Sequence, residues 1–497
     1  MVLSRAMMTA TPMRLGFALC AAVLLATGPA ATENIKHHPR VRQAITLLNI
    51  WLDAQRDFEQ IPGLSVAVVH DQDVIWQGAF GYADIEKKTP ASTDTIYSIC
   101  SISKLFTSIA VMQQRDAGRL RLDDPVSKHL PWFSIKRTDP AAPEITIEGL
   151  LTHSSGLPRE AEFPYWTAPD FSFPSREQVI ETVRKQETYF GAQSYYQYSN
   201  LGLTLAGEVA AAAAGKPYGE YVRARVLEPI GLRDTSPEMP ENPRLATAYT
   251  SIQRDGSRKV VPRFAARGIA PAAGYASTVE DLAKFASWQF GLLARKGGDE
   301  VLATNTLREM QRVHWMDPDF GSPWGLGFAL WRDKEKTFVG HGGSCPGFRS
   351  QLSMNLTEQV AVVVMANAQG VNTNALAQRA YEIVGPSIKT AVKAATEKSS
   401  PSKPTDQKRS LDQYTGTYAT GFAGEVAFFP WEGELASIGL PTGDPMASLT
   451  RWKPAGEHTF RRMRKDETLA ESLRFEMGAD GRGARLIWHA NTYRRVK

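Results

Sequence analysis

The chain has 497 residues, 43% of them hydrophobic and 22% charged, with a formal net charge of +5. That length exceeds one ordinary domain core and the balance is that of a soluble globular protein, so one large domain with a smaller companion is expected. Arg5 and Arg14 lie in an acid-free leader without which the charge falls to +3, too little to argue for a nucleic-acid partner.

Residues 1–30 read as an export signal: Arg5 and Arg14, an apolar stretch from Leu15 to Ala26, then small residues around Gly28, Ala30 and Ala31. Cleavage is expected after Ala30, with an uncleaved anchor as the alternative, and the mature protein is expected to be periplasmic or secreted. Leu19 before Cys20 is not small, which argues against lipid attachment. No later apolar run reaches the roughly 18 residues of a membrane span, and no repeat at a solenoid period is visible.

Residues 31–389 form the expected large domain. It begins with a polar, partly helical entry, His37 to Arg56, followed by a hairpin of Leu64–His70 and Val74–Tyr82 around Asp71–Asp73. Ser101 to Ala117 carries Ile102, Leu105, Phe106, Ile109 and Met112 at helical spacing, with Gly118 as a stop signal. Further helices are expected from Leu201 to Ala214 and after a capping box of Ser277 and Glu280, so residues 91 to about 300 are expected to be mainly helical. Thr337–His341, Phe348–Asn355 and Val360–Ala366 read as strands, and Asn374–Val384 as a helix. Strands at both ends of a helical middle predict an α+β domain with one antiparallel sheet and a large helical insertion. Residues 390–410, rich in Lys, Ser, Thr and Pro, read as a linker, and 411–497 as a small all-β domain, barrel-like, with seven strand-like runs between Tyr414 and His489.

Ser101-Ile102-Ser103-Lys104 places a hydroxyl and an amine three positions apart at the start of an amphipathic helix, on one face. A serine is a weak nucleophile until a base takes its proton, and a lysine in a dry site loses enough basicity to help. The helix N-terminus also offers N–H groups to a developing oxyanion. Tyr198-Ser199-Asn200 follows, directly before a helix, and His341-Gly342-Gly343 ends a strand. Ser103 reads as a neutral helix position and His153 as a buried hydrogen-bonding residue of a turn. The histidines lack zinc-ligand spacing, so no metal and no cofactor is implied.

With these three motifs in this order, the sequence resembles the serine β-lactamase and penicillin-binding-protein superfamily over about residues 45 to 388, nearest the class C β-lactamase, DD-peptidase and related esterase branch. Leu150-Leu151-Thr152-His153-Ser154-Ser155-Gly156-Leu157-Pro158, Gly325-Leu326-Gly327 and Pro346-Gly347-Phe348 agree. The resemblance implies a β-lactamase-like fold, Ser101 as acylated nucleophile, Lys104 in its proton network and Tyr198 as proton shuttle to the leaving group. It also implies Asn200 orienting a substrate amide, and an oxyanion hole from the backbone N–H groups of Ser101 and Ser344, beside Gly343. His341 stands where lactamases have lysine, implying a weaker, pH-dependent charge, and Gly342 replaces a threonine that often meets a substrate carboxylate. The implied function is an exported serine hydrolase acting on an amide or peptide bond, its substrate a small peptide, a β-lactam or an acyl ester. The alternatives are a carboxylesterase of the same fold, an acylatable sensor without turnover, and a carrier working through the C-terminal domain. Cys100 and Cys345 match the positions of the disulfide of carbapenemase-type class A β-lactamases, implying a bridge; two free thiols are the alternative. Leu411-Asp412-Gln413-Tyr414-Thr415-Gly416-Thr417-Tyr418 resembles the opening strand of appended lipocalin-like barrels, which would cover the active-site mouth, mediate oligomers or bind an apolar ligand. Pocket walls are expected from the loops Arg159–Pro174 and Arg263–Ala272.

Overall fold

The structure, a computed structural model, describes residues 35–396 and 410–497. The proposed signal at 1–30 and most of the proposed linker lie outside the described residues.

Alternation decides the central layer. In the strand Gly63–His70, Val66 and Val68 point to one apolar cluster while Ala67 and Val69 point to another. Val360–Ala366 behaves likewise, with Val362 and Val364 on one side and Ala361, Val363 and Met365 on the other. Strands apolar on both faces must be covered on both. They lie at the centre of a seven-stranded sheet in the order Thr89–Pro90, Asp73–Asp84, Gly63–His70, Val360–Ala366, Phe348–Asn355, Lys336–Cys345, Ala329–Asp333. Adjacent strands pair antiparallel. The helices Pro39–Phe58 and Thr373–Thr396 cover one face. Val279–Leu293 and the helical insertion, including Ser103–Asp116 and Asn200–Ala214, cover the other.

The antiparallel sheet with its helical insertion is as expected, but four local expectations change. The span from 91 to 300 is a set of helices joined by long irregular segments, because Pro158, Pro164, Pro169 and Pro174 interrupt any helical period. The cap of Val279–Leu293 is Thr278, whose side chain accepts from the N–H of Asp281; Ser277 lies in the short strand before it and Glu280 accepts from Thr93. The last helix runs on to Thr396, into the segment read as linker, because Ile388 and Ala391 continue its buried face. An eighth strand, Asn491–Arg495, pairs with Gly416–Ala419 and closes the C-terminal sheet into a barrel.

The barrel interior is filled by side chains, among them Tyr414, Tyr418, Phe428, Trp452, Phe460 and Phe475. Its outer residues Phe429, Trp431, Ile438 and Leu440 join the apolar cluster of the helices Pro39–Phe58 and Thr373–Thr396. Trp51 Nε1 donates to the Thr442 carbonyl (2.9 Å), and Arg379 reaches Asp444 (3.1 Å). The barrel therefore sits behind the sheet, away from the Ser101 side, and does not form the mouth as the resemblance allowed. Arg461, Arg462, Arg464 and Lys465 are exposed or half-exposed on its edge, Arg462 paired with Glu471. Among the described residues no helix is long and apolar enough to cross a membrane.

Trp452 is wholly buried, packs edge-on against Trp488 and donates to Ser437 Oγ (2.9 Å). Trp452→Ala should cost about 3–5 kcal/mol through the cavity and the orphaned hydroxyl, read as a lower urea midpoint of the barrel transition.

Candidate functional site

Ser101 sits in a tight helical turn, Cys100–Ile102, that runs directly into the helix Ser103–Asp116. The turn is clamped from three sides. Cys100, at φ +51°, is disulfide-bonded to Cys345 on the adjoining strand, with Cα atoms 5.7 Å apart. Ser103 is wholly buried, donates to the Cys100 carbonyl and accepts from the Tyr275 N–H (3.0 Å). It is thus a structural clamp rather than the neutral position the helical pattern suggested, since a hydroxyl inside a first helical turn finds backbone partners. The third contact is Gly343: a Cβ there would lie 2.1 Å from Ser350 Oγ and 2.3 Å from the Ile99 carbonyl, so only glycine lets the strand approach the turn.

The three-residue spacing brings Lys104 Nζ to 3.3 Å from Ser101 Oγ. Lys104 is wholly buried, and its Nζ also donates to Asn200 Oδ1 (2.7 Å) and the Ala272 carbonyl (2.8 Å). Among the described residues no carboxylate is ion-paired with it. Burial holds its pKa well below the ordinary lysine value; the Arg159 charge adds to this and Glu160 opposes it.

Asn200 opens its helix under Ser199, which caps it by accepting from the Gly202 N–H (2.8 Å). Its Nδ2 donates to Glu160 Oε1 (2.6 Å), which fixes the amide so that Oδ1 faces Lys104. Glu160 in turn accepts from the buried Tyr165 hydroxyl. Lys104 Nζ and the Arg159 guanidinium each lie 4.8 Å from the centroid of the Tyr198 ring. Burial raises the Tyr198 pKa and a hydrogen bond with Ser101 opposes the rise, so the phenol keeps its proton. His153 packs against Tyr198 with the rings tilted and centroids 4.4 Å apart, and accepts from the Ser199 N–H through Nδ1 (3.1 Å), a buried hydrogen-bonding role.

His341 differs from expectation. Its Nδ1–H donates to the Gly342 carbonyl (2.6 Å), so Nε2 carries the lone pair. Burial, reinforced by Lys104, lowers its pKa to about 3. The imidazole is neutral throughout the ordinary pH range, and the strand carries no charge there that titrates near neutrality.

Two cavities meet at Ser101, Arg159 and Ser344. One, of about 470 Å³, is walled by Glu160, Trp166, Phe171, Val261 and Pro346. The other, of about 530 Å³, is walled by Tyr198, His341, Gly343, Arg349 and Asn372. The structure thus brings Ser101, Lys104, Tyr198, Asn200, His341, Gly343 and Ser344 together around one cleft. The Arg159–Pro174 loop supplies wall residues. Arg263–Ala272 contributes instead from beneath, through the Ala272 carbonyl on Lys104, and Thr250–Val261 takes its place on the wall. Glu160 was not singled out in the sequence, because an isolated acid in an irregular loop carries no periodic or motif signal. Among the described residues no cluster of three or more His, Cys, Asp or Glu is arranged to hold a metal.

The profile of the family described as "Beta-lactamase" matches residues 51–384. "Beta-lactamase-like protein 2" of Dictyostelium discoideum is 26% identical over 299 residues, 59% of this chain and 54% of the relative. "Protein flp" of Staphylococcus aureus (strain N315) is 27% identical over 315 residues, 62% of this chain and 60% of the relative. The chain therefore spans little more than half the length of these relatives. Among solved structures, an octameric penicillin-binding protein homologue from Pyrococcus abyssi is similar at a TM-score of 0.59 and 22% identity, over 90% of this chain and 98% of that one. A D-amino acid amidase from Ochrobactrum anthropi SV3, complexed with L-phenylalanine amide, is similar at 0.56 and 24%, over 72% of this chain and 99% of that one. These structural likenesses establish the fold.

The disulfide ties the Ser101 turn to the strand across 245 residues of chain. Intact mass after alkylation without reductant should show Cys100 and Cys345 unmodified. Replacing both with Ala should lower stability by about 2–4 kcal/mol in denaturant titration.

Proposed function

Since the chain belongs to the beta-lactamase family, whose fold serves serine hydrolases, we propose that it is an exported hydrolase that cleaves an amide or peptide bond through a Ser101 acyl-enzyme. The observation that carries this reading is the approach of the buried Lys104 Nζ to Ser101 Oγ at 3.3 Å. A neutral amine has two N–H bonds and one lone pair. Asn200 Oδ1 and the Ala272 carbonyl can only accept, and at 2.7 and 2.8 Å they use both N–H bonds. In the neutral form the lone pair is left for the hydroxyl of Ser101, 3.3 Å away, the arrangement a general base needs, whereas an ammonium would donate a third N–H to Ser101 Oγ. The lowered Lys104 pKa supports the same protonation state.

In the proposed reaction Ser101 Oγ bonds to the substrate carbonyl carbon as its proton passes to Lys104 Nζ. The backbone N–H groups of Ser101 and Ser344 hold the oxyanion. The proton moves by way of the Tyr198 hydroxyl to the leaving nitrogen, the carbon–nitrogen bond breaks, and the amine departs through the cavity of Tyr198 and His341. Water then attacks the ester carbonyl, giving one proton to Lys104; the bond between the acyl carbon and Ser101 Oγ breaks as Lys104 passes that proton to Oγ, releasing the acid and restoring both Ser101 and the neutral amine. The amide preference is supported by Asn200, whose fixed side chain is suited to an amide group, and by the amidase fold neighbour. Export is supported by the N-terminal sequence pattern and by a disulfide that suits an oxidising compartment.

Intact-mass time courses with a penicillin, a D-amino acid amide and a short acyl ester should show a Ser101-dependent adduct or turnover with at least one of them. Ser101→Ala and Lys104→Met should each lower turnover at least about a thousandfold while leaving the fold intact by circular dichroism. Full activity in Ser101→Ala would overturn the reading. The pH dependence has a definite sign. A protonated Lys104 has no lone pair, so kcat/KM should rise with pH along one limb whose midpoint lies well below the ordinary lysine value of about 10.5. His341, at about 3, contributes nothing to that limb.

A further inference from the structure

A third cavity, of about 820 Å³, lies in the helical insertion and shares no wall residue with the two at Ser101. Its walls are mostly apolar, with Pro131, Trp132, Pro217, Tyr218, Pro237 and Pro271. Of the charged side chains on them, Arg176 is paired with Glu208, whose Oε2 lies 2.7 Å from its Nε and 2.6 Å from its Nη2. Three others are not paired in this way. Glu238 Oε2 is buried without a hydrogen-bond partner, and among the described residues no cation is ion-paired with this carboxylate. Burial pushes its pKa up to about 7, against the backbone N–H groups of Ala266 and Arg267 and the charges of Arg263 and Arg267. Lys216 and Arg267 are exposed at the mouth, and among the described residues neither is ion-paired with an acid. Arg267 Nη1 donates instead to the Phe173 carbonyl (3.2 Å).

One wall of this cavity is shared with the machinery of the cleft. The segment 267–273 gives Gly268, Ala270 and Pro271 to the cavity and the Ala272 carbonyl to Lys104 Nζ (2.8 Å). It has little slack: a Cβ on Gly207 would lie 2.5 Å from Pro271, and one on Gly268 would lie 2.8 Å from the Ser175 carbonyl. Arg267 sits at φ +48°, a left-handed position that a side chain adopts at a cost. Thr107, on the helix of Lys104, donates to the Pro271 carbonyl (2.6 Å) and accepts from the hydroxyl of Tyr218 (2.5 Å), which is on the cavity wall. A close-packed interior transmits such contacts, so a molecule resting on Tyr218 and Pro271 bears on the groups that position Lys104.

An open acceptor on a buried acid, with two unpaired cations at the mouth of an apolar recess, is the complement of a small zwitterion with an apolar side chain. We propose that this cavity is an effector site for a free apolar amino acid, its ammonium on Glu238, its carboxylate on Lys216 and Arg267 and its side chain along Trp132 and the prolines, and that its occupancy raises the reactivity of Ser101 through segment 267–273. The ligand adds contacts to that segment with the Ala272 carbonyl on Lys104, so occupancy favours this arrangement over any other. The coupling rests on the hydrolase reading above; the site does not.

The test is calorimetric binding of phenylalanine and leucine, each as the D and the L form, to the purified full-length protein. Phenethylamine and 3-phenylpropionate serve as probes that each lack one charge. At least one amino acid should bind, and the two single-charge probes should bind about tenfold more weakly or worse. Lys216→Glu, a change at an exposed position, and Glu238→Gln should each weaken amino acid binding about tenfold. Binding left intact in both variants would place the ligand elsewhere and overturn the proposal, as would no binding up to about 10 mM. The second readout is the rate at which an activated acyl ester labels Ser101, followed by intact mass. A saturating amino acid should raise that rate about threefold or more in the wild type and leave it unchanged in Lys216→Glu, whose rate without effector should equal the wild type's. Binding with an unchanged or lowered rate overturns the coupling, and a rise that survives both substitutions overturns the cavity as its source. If Ser101 is labelled under no condition, the hydrolase reading falls and the coupling with it, while the binding measurements still decide the site.

Discussion

A lysine amine buried with no carboxylate ion-paired to it among the described residues is the constraint around which the site is built. Taking an ammonium out of water without an anion is expensive, so the side chain is driven toward its neutral form. Its neighbours complete the effect by choice of acceptor: one amide oxygen and one backbone carbonyl, polar enough to hold the N–H bonds yet without the full charge that would restore the ammonium. Each must be held accurately. Asn200 is held by its helix start and by Glu160, Ala272 by the short turn Ala270–Ala273, and the Ser101 turn by the disulfide, Ser103 and the close strand at Gly343.

The same burial separates this cleft from one built around a permanent cation on the facing strand. His341 is neutral, so positive charge at the cleft comes from Arg159, stacked on Tyr198, and from Arg349 on the adjoining strand, whose Nε donates to Gln369. Positive charge therefore sits toward the rim and neutral hydrogen-bonding groups sit at the centre. Desolvation raises the Tyr198 pKa, and the hydrogen bond with Ser101 and the nearby Arg159 guanidinium count against that rise, so the phenol keeps its proton.

What could be read in the sequence was what chain geometry writes locally. Ser101 and Lys104 are one helical turn apart, so their meeting follows from the helix alone, and the valine-rich strands announce their burial on both faces. The Glu160–Asn200–Lys104 chain could not be read, because its members come from a loop and two helices joined only in the folded state. Charge at His341 was misjudged for a related reason: residue type sets the ordinary pKa, while burial and the Gly342 carbonyl are tertiary facts. The missed strands Ala329–Asp333 and Asn491–Arg495 are half-exposed, one an edge strand and the other the closing strand of the barrel, so neither carries a strong apolar alternation.

The C-terminal barrel shows how placement limits function. Its interior is occupied by aromatic rings that pack edge to face, such as Tyr418 with Phe428 and Trp452 with Trp488, which argues for a solid core in place of a ligand chamber. Its outer apolar residues meet the two helices on the sheet face opposite Ser101. The helix Thr373–Thr396 is the element common to both sides: Asn372 and Thr373 at its start line the cavity of Tyr198 and His341, while Arg379, farther along, bonds the barrel at Gly443 and Asp444. The barrel therefore covers apolar surface that the helix pair would otherwise expose, and its physical route to the cleft is through that helix and the sheet beneath it.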